Sequence, residues 1–127
     1  MFIKPELLLY LGSALIILWG IAHLIPTKPV VNGFGSISAD SSRIIVMEWI
    51  SEGLTLCFLG FLVFGVTFWG GSANVVSIIV YRSVAAMLII MAGLTLFTGA
   101  RTAIIPIKIC PVIKIIAAIF VLGGSIL

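Results

Sequence analysis

The chain has 127 residues, 62% hydrophobic and 9% charged, with seven Lys and Arg against four Asp and Glu, a net charge of +3 and a mean hydropathy of +1.39. A soluble domain devotes about a quarter of its residues to charge, and so few polar groups would leave most of the exterior as one apolar patch. The same scarcity excludes a disordered chain, a disulfide scaffold and a nucleic-acid module, so the composition predicts an integral membrane protein.

A hydrocarbon core of roughly 30 Å takes about 20 apolar residues per helical crossing, which allows about four crossings here. The expected fold is all-α, a single antiparallel bundle of four transmembrane helices. The first span covers residues 7–25 and stops at Pro26, Lys28 and Pro29, because proline forfeits a helical N–H and clashes with the preceding turn. Lys4 before an apolar run also resembles the opening of a secretory leader, but the segment is read as retained. Residues 27–43 are rich in Pro, Gly, Ser and Asn and are expected to form the one substantial loop, with Gly33, Phe34 and Gly35 as a turn. Asp40 or Ser41 would cap the next helix.

The second span covers residues 44–68 and ends at the Gly70, Gly71, Ser72 turn, and the third covers residues 75–99. The fourth is placed at 103–127, with Pro106 in its first turn and a kink at Pro111, or it begins at Pro111 itself. Lys28, Arg43, Arg101 and Lys108 lie in the two connections of one face, against Lys4 and Arg82 toward the other. The positive-inside rule then puts both termini outside the cytoplasm, and the expected location of this multi-pass protein is the plasma membrane of a prokaryote. Cys57 and Cys110 are placed at different depths and are not expected to pair. Without a CxxC motif or a second histidine, no metal site is expected.

An ionisable group inside a span costs on the order of 2.5–3.5 kcal/mol on insertion scales, so each should have a partner or a task. His23, Glu48, Glu52, Arg82 and Lys114 qualify. Glu48 and Glu52 are four apart and share a helix face, which Ser51 and Thr55 continue. Glu52 lies about eight residues, roughly 12 Å, from the loop side, and Arg82 about seven residues from the other side on an antiparallel helix. These depths predict an ion pair between Glu52 and Arg82. His23, Arg101 and Lys114 are then candidates to serve Glu48, while Lys114, Lys108 and Arg101 are also read as reaching for headgroups.

On the first helix Gly12, Ile16, Trp19 or Gly20, and His23 recur at helical spacing. On the third, Arg82, Ala86, Ile89 and Gly93 share a face. These stripes describe a polar pocket from mid-membrane to the loop side, with Trp19, His23, Glu48, Glu52 and Arg82 as its ligand-binding residues and Trp49, Phe58 or Phe97 as further walls. The competing reading of the charges is a structural cluster that fixes helix register. His23 is read as an interfacial histidine bonded to a carbonyl or to Glu48 ahead of any haem or metal role. The tryptophans near span ends fit an aromatic belt, Trp19 lying deepest.

Gly20, Ile21, Ala22, His23 and Leu24 closing the first span, Phe34 and Gly35 in the loop, then Arg43 and the run from Met47, Glu48 and Trp49 to Glu52 and Gly53 resemble the small DoxX-like membrane proteins, mainly over residues 12–65. That resemblance implies a four-helix bundle, in some members an accessory subunit of a quinone-linked redox system, with the second helix as a binding wall.

The favoured function is therefore binding of a hydrophobic small molecule with one polar head, a quinone or an isoprenoid-like lipid, within a homo-oligomer or a larger membrane assembly. The alternatives are a proton, cation or small-solute transporter or channel, and a structural subunit without catalysis. An enzyme is least favoured, because no nucleophile–base set, metal spacing or cofactor fingerprint is present. Its forms would be a lipid isomerase using Glu48 and Glu52 as acid and base, or a quinone-linked oxidoreductase subunit.

Overall fold

The computed structural model describes residues 2–127, which form five α-helices: α1 (Pro5–Leu24), α2 (Thr27–Asn32), α3 (Ala39–Gly70), α4 (Val75–Phe97) and α5 (Ile105–Ile126). Among the described residues there is no strand. Helices α1, α3, α4 (with the 3₁₀ turn Gly99–Arg101 that follows it) and α5 are each long and apolar enough to cross a membrane. The chain is an all-α, multi-pass bundle of four such helices.

The expected loop at 27–43 is shorter than the composition implied. Its first part coils into α2, whose Val31 is buried, and α3 begins at Ala39, five residues ahead of the predicted span. The cap is Ser38, whose hydroxyl accepts from the Ser41 N–H at 3.1 Å. Asp40 instead occupies the first turn, where a carboxylate complements the helix dipole. Of the two fourth-span boundaries, the early one is found: α5 starts at Ile105 with Pro106 in its first turn and Pro111 inside. At the other end, Gly71 takes φ 78°, a left-handed conformation that glycine adopts without penalty, and so turns the chain from α3 into α4.

Helix α1 is gripped between α3 and α5, α4 packs on α5, and α3 and α4 make a smaller contact. Small residues set these distances, as is usual where lipid supplies no hydrophobic drive between helices. A Cβ on Gly20 would stand 2.9 Å from the Cys57 backbone nitrogen and 3.0 Å from the Gly53 carbonyl, and one on Gly60 would stand 2.9 Å from the Ser13 carbonyl. The α1 and α3 backbones therefore meet almost directly. Across the other side of α1, Gly12 faces Val121 and Gly124 faces Leu9.

The interior consists of Leu9, Ile16, Leu56, Val63, Val84, Ala85, Leu88, Ala117 and Val121. Phe58, Phe61, Phe68, Ile90, Leu94 and Ile119 point outward, which is the arrangement for a lipid solvent. The end carrying the tight turn is tied by polar contacts. Thr67 and Tyr81 share a buried hydroxyl hydrogen bond at 2.8 Å, the Ser77 hydroxyl donates to the Val66 carbonyl at 3.3 Å, and the Ser72 hydroxyl donates to Glu6. The opposite end, between the long loop and the α4–α5 connection, holds a cavity.

Candidate functional site

That cavity encloses about 360 Å³ between the C-terminal ends of α1 and α4, the first half of α3 and the start of α5. Its walls are mostly apolar: Trp19 and Ala22 from α1, Pro26, Trp49 from α3, and Pro106, Ile107 and Ile109 from α5. Its polar groups are His23, Glu52, Thr95 and Cys110. Both the size and the small number of convergent polar groups match those of sites that hold small molecules.

Glu52 organises these groups. One carboxylate oxygen, Oε1, accepts from the ammonium of Lys114, and the thiol of Cys110 lies 4.0 Å from the same oxygen. The other oxygen, Oε2, lies 3.7 Å from His23 Nε2. The Lys114 side chain is wholly buried, whereas that of Glu52 is 30% exposed. Lys114 also donates to the Thr95 hydroxyl at 2.9 Å, which in turn donates to the Met91 carbonyl at 2.9 Å. The carboxylate thus faces the cavity with its countercharge sealed behind it.

His23 is buried at the end of α1. Its ring lies on that of Trp49, and Nε2 is enclosed with no hydrogen-bond partner in the 3.5 Å range among the described residues. The Trp49 indole N–H donates to the His23 carbonyl at 2.8 Å. This carbonyl belongs to the last turn of α1, where helical acceptors lack partners within the helix. Trp19 donates its N–H to the Cys110 sulfur at 3.2 Å, fixing its ring as a cavity wall. Both cysteines are free.

Three of the five expected binding residues, Trp19, His23 and Glu52, therefore come together. The other two do not. Arg82 is exposed on the outer face of α4, and Glu48 is exposed on α3. The ion pair expected between Glu52 and Arg82 is replaced by Glu52 with Lys114. The reason is the face that α4 presents. Its buried residues are Ser77, Tyr81, Val84, Ala85, Leu88 and Ala92, so the inward stripe passes beside Arg82 rather than through it.

Arg82, Ala86 and Ile89 look outward and Gly93 is half-buried. Lys114 does not reach for headgroups, because it shares the inward face of α5 with Cys110, Ala117, Ala118, Val121 and Gly124. It is committed to Glu52, so neither it nor His23 serves Glu48, which has no ion-pair partner among the described residues. Phe58 and Phe97 are 62% and 66% exposed and are not walls of this cavity. Trp49, read above both as a further wall and as part of an aromatic belt, does line it. The residues absent from the sequence-based pocket are Thr95 of α4 and Cys110 and Lys114 of α5, and the two from α5 carry a legible signal, because they continue the inward stripe that Ala117, Ala118, Val121 and Gly124 mark.

Toward the turn end the site is closed by Leu56, Leu88, Ala117 and Val121, all at 0 to 1% exposure. Among the described residues no group of three or more His, Cys, Asp or Glu side chains is placed to hold a metal ion. No family model, curated protein or solved structure matches the chain.

Proposed function

We propose that this membrane protein binds one hydrophobic small molecule with a polar head, of the quinone or isoprenoid-lipid kind, in the cavity at the loop end of the bundle. The observation that carries the reading is Glu52, a carboxylate on an otherwise mostly apolar cavity wall, backed by a fully buried lysine. A buried pair retained for packing alone is replaceable by apolar residues without loss of stability. Here one member stays open to a ligand-sized space. Trp19 and Trp49 supply flat walls for a ring or an unsaturated chain.

In this reading the loop face, with Lys28, Arg43, Arg101 and Lys108, is cytoplasmic, and the ligand enters from that leaflet. The chain acts as an accessory subunit of a membrane assembly, alone or as a homo-oligomer, and the DoxX-like resemblance of residues 12–65 is consistent with that role. The apolar layer of Leu56, Leu88, Ala117 and Val121 supports a closed binding site over a through-channel, which needs a continuous polar path.

Native mass spectrometry of the protein released from gentle detergent tests this reading. The expected result is a retained hydrophobic molecule at one per chain, displaced by added short-chain quinones or isoprenoid alcohols. A chain that carries nothing, and takes up none of these at micromolar concentration, overturns it.

A further inference from the structure

Resting on that reading, the hydrogen bonds around the cavity identify the chemistry of the head group. The side-chain donors on its walls already reach protein acceptors, the Cys110 thiol facing Glu52 Oε1 at 4.0 Å. The Trp19 N–H goes to the Cys110 sulfur, the Trp49 N–H to the His23 carbonyl, and the Thr95 hydroxyl to the Met91 carbonyl. Lys114 is fully buried and donates to Glu52 and Thr95. His23 Nε2 is sealed beside Glu52 Oε2 at 3.7 Å, so a ring proton there faces the carboxylate and Nδ1 is left as an acceptor. Pro26 and Pro106 bring no backbone N–H to the wall.

The unfilled capacity is on the accepting side. Glu52 Oε1 is taken by Lys114, while Oε2 has only the 3.7 Å histidine contact, and an ionised carboxylate accepts without donating. The unpaired N–H groups in the first turn of α5 lie about two turns above Lys114, roughly 10 Å toward the mouth. They are too far to serve a head seated at Glu52. Charge narrows the choice further. Glu52 and Lys114 together are neutral, so an ammonium head would leave a net positive charge in a low-dielectric site, and an anionic head would meet the carboxylate.

We infer that the cavity selects a neutral amphiphile whose head donates a hydrogen bond, the hydroxyl of an alcohol, a phenol or a quinol, to Glu52 Oε2, over heads that only accept, such as a quinone carbonyl, an ether or an ester. Within the ligand classes proposed above, this picks the reduced quinol or the free isoprenoid alcohol.

The test uses the full chain in detergent or nanodiscs with 4-octylphenol and its O-methyl ether, which differ at the one donating hydrogen. Binding is read by quenching of Trp19 and Trp49 and by native mass spectrometry. The phenol is expected to bind about tenfold or more tightly than the ether, as befits a hydrogen bond to a charged acceptor. In the double variant Glu52→Leu with Lys114→Met, which removes the acceptor and leaves no lone buried charge, the preference is expected to vanish. Arg82→Gln, on the outer face, should preserve it. Equal binding of phenol and ether to the native chain, or tighter binding of the ether, overturns the donor inference and leaves the binding site standing. Failure of both to bind overturns the site and the inference together.

Discussion

The imidazole of His23 lies flat on the indole of Trp49, with ring centroids 3.9 Å apart and planes 18° from parallel, and that indole donates its N–H to the carbonyl of the same histidine at 2.8 Å. One side chain of α3 thus holds both the ring and the last turn of α1. The two contributions separate by substitution. Trp49→Phe keeps an aromatic face and loses the donor, at an expected cost of about 1 kcal/mol. Trp49→Ala removes the ring as well, with an expected cost of about 3 kcal/mol. Denaturation in mixed micelles should show that order; equal losses would mean that the N–H bond alone matters.

The pairing of Glu52 with Lys114 predicts a strong coupling. Removing Glu52 leaves the wholly buried Lys114 charge without compensation, so Glu52→Leu alone should cost about 3–5 kcal/mol, and Lys114→Met, which leaves the partly exposed Glu52, should cost less. The double substitution should recover most of that loss, giving a coupling energy that a double-mutant cycle reads directly. Arg82→Gln should change stability by less than about 0.5 kcal/mol, because the side chain is exposed. A cycle that couples Glu52 to Arg82 instead would contradict this arrangement.

The number of spans, the tight turn at Gly71 and the inward face of α1 were all legible, because hydropathy, glycine and helical periodicity each report a property of one segment. The buried residues Gly12, Ile16, Gly20 and His23 of α1 are those its periodicity selects. The partner of Glu52 was not legible in the same way. Depth along the membrane follows from counting residues, and both Arg82 and Lys114 lie at workable depths. Which of them faces Glu52 depends on helix rotation, and Arg82 lies one residue after the buried Tyr81, about 100° around the helix. The deciding pattern was the small-residue stripe containing Lys114, since small residues mark contact between helices. The shortness of the loop is not legible either, because Pro29 in α2 and the serines around the start of α3 are common to loops and helix starts.

Two glycines should respond oppositely to the same change. Gly20→Ala places a methyl against the Cys57 nitrogen at 2.9 Å and the Gly53 carbonyl at 3.0 Å. Backbone atoms cannot move aside as a side-chain tip does, so α1 and α3 must separate, at an expected cost of about 1–3 kcal/mol. Gly93 has open space where its Cβ would stand, and Gly93→Ala should be neutral or stabilising by up to about 1 kcal/mol through helix propensity. Thermal aggregation midpoints in one detergent would rank the two. A destabilising Gly93→Ala would reveal a contact at that position beyond the chain itself.

The Thr67–Tyr81 hydrogen bond offers a test of independence between the two ends of the bundle. Tyr81 is fully buried, and its hydroxyl meets Thr67 at 2.8 Å while Thr67 also bonds the Val63 carbonyl at 2.7 Å. Tyr81→Phe therefore leaves Thr67 one acceptor and removes a single hydroxyl, with an expected loss of about 1 kcal/mol. Leu56, Leu88, Ala117 and Val121 are packed between this pair and the cavity. Ligand affinity should then stay within about twofold of the native value, since distant sites without shared partners behave additively. Isothermal titration of Tyr81→Phe beside the Glu52→Leu and Lys114→Met double variant would check it. A tenfold loss of affinity in Tyr81→Phe would mean that the apolar layer transmits changes and that the turn end belongs to the binding site.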